Sequence, residues 1–134
     1  MNLIPLPVHD RLHLGNPTKF DPATATAIQE FLLLEACMAG CESLADTIAS
    51  DPEHAGLFDE LSECIAACQT YLAAKARESR FANRLLHYCV EAMADTAAAC
   101  ESLPSAASKR CQKLIKAGLR QLQSAHDHAG SARH

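Results

Sequence analysis

Seven cysteines stand in a chain of 134 residues, at positions 37, 41, 64, 68, 89, 100 and 111. Thiols at that density do one of three things: they cross-link, they react, or they hold soft metal ions. Cross-linking is disfavoured by the odd count. It is also disfavoured by a first segment, Met-Asn-Leu-Ile-Pro-Leu-Pro, that lacks the basic start and long apolar run of an export signal. A cytoplasmic location is the expectation, and in a reducing compartment clustered thiols point to metal ligation or redox chemistry. Two pairs carry most of this weight. Cys37 and Cys41, like Cys64 and Cys68, are four residues apart. On a helix that spacing puts two side chains on one face, roughly 5–6 Å apart at Cβ, so both sulfurs can reach one ion.

The ligand chemistry narrows the ion. Structural zinc takes four ligands in a tetrahedron, usually from knuckles on turns, and two thiols on a straight helix supply half of that. Iron–sulfur clusters need four thiolates around a compact core, which an axial line of thiols fits poorly. Thiolates and thioethers without carboxylate or imidazole in line favour Cu(I), which two thiolates can satisfy. Met93 and Met38 are soft auxiliaries. For Cys100 or Cys111 taken singly, packing is the more ordinary role, since free Cys is among the most buried residue types.

The elements that would position these thiols are helices. Ala and Leu dominate from residue 23 onward, and Val occurs only at Val8 and Val90, so strand material is scarce. Asp21-Pro22 and Asp51-Pro52 each pair a capping residue with a first-turn proline. Helices are predicted over 22–50, 53–77, 80–102 and 105–127, with Ser79 as the cap between the second and third. Four helices of similar length with short connections give an all-α, antiparallel four-helix bundle over 21–128. Residues 1–20 form an N-terminal extended arm in this reading, and 129–134 a flexible tail.

Helical periodicity then sorts the faces. The stripes are Leu34, Cys37, Cys41, Leu44, Ile48; Leu57, Leu61, Cys64, Cys68, Tyr71; Leu85, Cys89, Met93, Thr96, Cys100, Leu103; and Cys111, Ile115, Gly118, Leu122, Ala125. Every cysteine lies on an apolar stripe and points at the bundle axis. Glu30, Asp46, Glu60, Glu63, Lys113, Lys116 and Arg120 are assigned to the solvated face. Depth along the axis predicts a main cluster of Cys37, Cys41, Cys64 and Cys68, with Cys89 near the same level. Cys100 lies about 16 Å further along its helix and forms a separate, thinner site with Cys111.

Other functions fare worse. A formal net charge of -4 gives no concentrated basic face for nucleic acid. No apolar run reaches the roughly 18–20 residues of a membrane span. A ferritin-like di-iron site needs Glu-x-x-His, and no Glu here has His three residues on. His87 sits two residues before Cys89, on a different face, which argues against a Cys–His nucleophile. No enzyme activity is expected.

The order Glu63-Cys64-Ile-Ala-Ala-Cys68, Ser79-Arg-Phe81, Cys89-Val-Glu-Ala-Met93, Cys100-Glu-Ser-Leu-Pro104-Ser105 and Cys111-Gln112 resembles the copper storage protein family. Those are Cys-rich four-helix bundles whose thiolate-lined cores hold many Cu(I) ions. The resemblance covers roughly residues 30–125. It implies Cu(I) storage or buffering with copper ions as cargo, and a homo-oligomer of whole bundles. The chain departs from the family in number: Met93 and Thr96 stand at inward positions where the family has Cys. The competing reading is a non-catalytic interaction or scaffold bundle whose cysteines are core packing.

Overall fold

The computed structural model describes residues 21–132, with side chains through Ala125. The predicted arm over 1–20 therefore lies outside the described residues. Four α-helices make up the rest: α1 (Pro22–Ile48), α2 (Ala55–Ala76), α3 (Ala82–Ala99) and α4 (Ala106–Ala132). Two short 3-10 turns, Pro52–His54 and Cys100–Ser102, lead into α2 and out of α3. The helical backbone of α4 continues to Ala132, past the predicted end at 127 and into the segment assigned to a tail. None of the described helices is long and apolar enough to cross a membrane.

Both predicted Asp caps form. The Asp21 carboxylate accepts the Thr24 N–H at 2.7 Å, and the Asp51 carboxylate accepts the Glu53 N–H at 3.0 Å, so each answers a donor that the first turn leaves unpaired. Ser79 works differently from its predicted role. Its hydroxyl accepts the Phe81 N–H in the turn before α3, whereas α2 closes through the backbone. There the Ser79 N–H reaches the Ala74 carbonyl and the Glu78 N–H the Lys75 carbonyl. This is the double closure of a Schellman cap, and it places Glu78 at φ 53°, a conformation glycine adopts without strain. Ser105 starts α4, its hydroxyl accepting the Ser108 N–H.

α1 packs on α2 and α4, and α3 packs on the same two. Across each contact, residue numbers that rise on one helix fall on the other. Glu30 meets Tyr71 while Cys37 neighbours Cys64 and Cys68. Cys68 meets Cys89 while Glu60 meets Thr96. Cys100 meets Ser108 while Ala97 meets Gln112. Leu34 lies against Gly118 while Gly40 lies against Leu114. Neighbouring helices thus run in opposite directions. A Cβ added at Gly118 would stand 2.8 Å from Met93 Cε, the movable end of a flexible side chain, and in ordinary contact with Leu34 at 3.4 Å.

All the predicted stripe residues of α1 and α2 are buried, as are Cys89, Met93, Thr96, Cys100, Cys111, Ile115, Gly118 and Leu122. Leu86 is buried where the stripe named Leu85, which is half-buried. Asp46, Glu63, Lys113, Lys116 and Arg120 are exposed. Glu60 is half-buried, and Glu30 departs furthest from its assigned face. It is 3% exposed because it stands four residues before Leu34, on the same inward line.

Candidate metal centre

Six of the cysteines are delivered to the axis by α-helices whose aliphatic neighbours demand burial of that face, and Cys100 by the 3-10 turn that follows α3. Cys37, Cys41, Cys64, Cys68 and Cys89 are fully buried, Cys111 is 1% exposed and Cys100 3%. All seven are free thiols. The Sγ atoms of Cys37, Cys64 and Cys68 lie within 4.8 Å of one another. Cys89 joins this trio through Cys68, at 3.7 Å, and its other sulfur neighbour is the Met93 thioether, also at 3.7 Å. Cys41 interacts with Cys37 and lies 3.9 Å from Cys111. Cys111 in turn interacts with Cys100.

The thiols therefore form one string, Cys89–Cys68–(Cys64, Cys37)–Cys41–Cys111–Cys100, where two groups were predicted. The main cluster contains the predicted members, Cys89 included. The separation of Cys100 and Cys111 from it is corrected. An i,i+4 pair extends about 6 Å along the axis, which carries the α1 thiols down to the level at which α4 brings in Cys111.

At Cys37, Cys100 and Cys111 the surroundings favour the protonated thiol. Cys37 is pushed well above the ordinary thiol range, first by its hydrogen bonds with Cys41, Cys64 and Cys68, then by burial, and last by the negative charge of Cys64. Its neighbour Cys111 and then burial push Cys100 up. For Cys111 the Cys100 contact lowers the value, but Cys41 and burial outweigh it, leaving it pushed up to about 12. The consequence for stability has a definite sign. A thiol whose pKa is higher in the folded state than in the unfolded chain, where it is near 9.0, keeps its full contribution below that value. Above it, the unfolded chain ionises first and gains. Metal-free reduced protein is thus expected to hold a constant melting temperature from pH 6 to 8 and to lose stability above about pH 9, measured by thermal unfolding with a reductant stable to alkali. Rising stability across that range would contradict the burial of neutral thiols.

Polar groups in the core are satisfied. The Thr96 hydroxyl lies 2.7 Å from the Ala92 carbonyl and 3.1 Å from that of Glu60. The Ser108 hydroxyl donates to the Cys100 carbonyl at 2.8 Å. At the end of the bundle beyond Cys89, Glu30 Oε1 accepts from the Tyr71 hydroxyl at 2.9 Å and from Lys75 Nζ at 2.8 Å. Burial, then the Glu30 charge, raise the Tyr71 phenol above its usual range. A cavity of about 360 Å³ opens beside this triad, lined also by Ser79, Asn83, Leu86 and Leu122. Glu30→Ala should destabilise the protein by about 1–3 kcal/mol, because it leaves the Tyr71 hydroxyl buried without an acceptor. In urea unfolding the loss should shrink when Tyr71→Phe is already present. An equal loss in both backgrounds would mean that the hydroxyl is not the cause.

A second group of potential ligands, Asp51, Glu53 and His54, gathers at the α1–α2 turn. The Asp51 carboxylate is already engaged there, by the Glu53 N–H and by His54 at 3.6 Å. Comparison with protein-family models, with curated proteins and with solved structures finds no match to this chain.

Proposed function

We propose that this bundle binds Cu(I) for storage or buffering in the cytoplasm, with no catalytic step. The observation that carries the reading is the unbroken line of seven buried thiols along one axis. Core packing alone accounts for single buried cysteines, but gives no reason for sulfur to follow sulfur along four helices. The ligands are Cys37, Cys41, Cys64, Cys68, Cys89, Cys100 and Cys111, with the Met93 thioether beside Cys89. Soft ligands without carboxylate or imidazole among them suit Cu(I), and the spacing of these cysteines resembles the copper storage family.

Charge balance refines the stoichiometry. The buried charged or polar side chains in the described residues are Glu30, Thr96 and Ser108, and Glu30 is committed to Lys75. No buried cation is at hand to offset thiolates. A Cu(I) held by two terminal thiolates carries a net negative charge, which is costly in this interior. Thiolates that bridge two ions bring the ratio toward one Cu(I) per thiolate and the charge toward zero. Filling should therefore be cooperative and approach the number of cysteines.

The test is a titration of reduced, metal-free protein with Cu(I) against a chromophoric chelator. Several tightly held equivalents, rising toward one per cysteine, support the reading. None, or one weak site, would favour the scaffold reading, in which the thiols pack and an exposed apolar face such as Ile28, Phe31 and Leu32 on α1 meets a partner.

A further inference from the structure

We propose that Cys37, Cys64 and Cys68 form a three-thiol site that captures trivalent arsenic, taken up as arsenous acid. The inference stands apart from the copper reading, since it uses one trio and not the string, and a different chemistry.

Geometry supplies the first argument. Trivalent arsenic makes three bonds to sulfur in a shallow pyramid and keeps a lone pair at the apex, so it needs three thiols converging from one side. Cys64 and Cys68 come from successive turns of α2, and Cys37 from α1 closes the triangle, all three within 4.8 Å. The other sulfurs continue the string in pairs: Cys89 with Cys68, Cys111 with Cys41. Among the described residues, no other three cysteines make such a mutually close group. Bringing the three sulfurs onto one atom asks for rotation about χ1 at each cysteine, a motion of the side chains that leaves the helices where they are.

Charge supplies the second. Capture proceeds by exchange: three As–O bonds break, three As–S bonds form, and each thiol hydrogen leaves with one hydroxyl as water. Arsenous acid and three thiols thus give one tris-thiolate arsenic and three waters, with no change of oxidation state. The reactant, the thiols and the product are all neutral. This suits an interior with Leu34, Leu61 and Ile115 fully buried and no buried cation among the described residues to balance a thiolate. A monovalent or divalent cation on the same three thiolates would leave a net negative charge in the core. Arsenic leaves none.

The experiment is native mass spectrometry of reduced, metal-free protein incubated with sodium arsenite, with the near-ultraviolet arsenic–sulfur absorption followed in parallel. The wild type is expected to take one arsenic with loss of three hydrogens, the signature of a three-sulfur adduct. Cys37→Ala keeps two of the thiols and should give only a weaker adduct that retains a hydroxyl, heavier by one water. Cys37→Ser repeats the test should the alanine variant fail to give a helical circular dichroism spectrum. Cys100→Ala, at the far end of the string, should keep the three-sulfur adduct. An unmodified wild type, a wild type that stops at the two-sulfur adduct, or a three-sulfur adduct that survives both Cys37 substitutions would each overturn the proposal. Cu(I) stoichiometry measured on the same preparation stands or falls independently.

Discussion

Cys68→Ala should remove more Cu(I) than any substitution at the ends of the thiol string. Cys68 neighbours Cys89 at 3.7 Å on one side and Cys37 and Cys64 within 4.8 Å on the other, so its loss interrupts the line. A bridging thiolate serves two ions at once, and its removal should cost about two equivalents where a terminal thiolate costs about one. Cys100, with its single thiol neighbour Cys111, provides the terminal comparison. The fold should survive both changes. Exchanging a buried sulfur for nothing leaves a void near the size of a methyl group, worth about 1 kcal/mol. Chelator-competition titration of the two variants, beside circular dichroism of each, separates the effects. Equal losses for Cys68→Ala and Cys100→Ala would mean that the thiols bind as independent sites and that the string has no functional meaning.

Leu61→Ala should have the largest effect on stability, about 2–5 kcal/mol, although it removes no ligand. Leu61 is fully buried one turn before Cys64, on the face that α2 turns to the axis. Its truncation loses apolar burial and leaves a cavity that the surrounding helices close only in part. Against a total stability of about 5–15 kcal/mol for a domain, that is a large share. The prediction carries a corollary about metal. Leu34, Leu44, Leu61, Ile115 and Leu122 are each 0–1% exposed, so the reduced, metal-free bundle should already be helical and unfold cooperatively, unlike a zinc finger. Urea unfolding of metal-free wild type and Leu61→Ala checks both points. A wild type without a cooperative transition until metal is added would show that ligation, not aliphatic packing, organises the core.

The same contrast separates what could be read from the chain and what could not. Helical periodicity sets the direction of a side chain around its own helix, and that direction depends on local residues alone. The four helices, the Asp21 and Asp51 caps and the inward aim of all seven cysteines were therefore legible. Glu30 was assigned to solvent although it precedes Leu34 by four residues on the buried line. Its carboxylate argued for solvent, and only the arrival of Tyr71 and Lys75 from α2 makes its burial affordable. Height along the axis is a different quantity. It depends on how each turn spends its residues: the 3-10 turns at Pro52–His54 and Cys100–Ser102, and the left-handed Glu78 that ends α2. Small differences there slide one helix against the next by several ångströms without altering either helix. That sliding decides which sulfurs meet. The meeting of Cys37 with Cys64 and Cys68 follows from counting residues back from the short Asp51-Pro52 turn, whereas the union of Cys41 with Cys111 is a property of interhelical register, which tertiary packing sets and helical spacing does not contain.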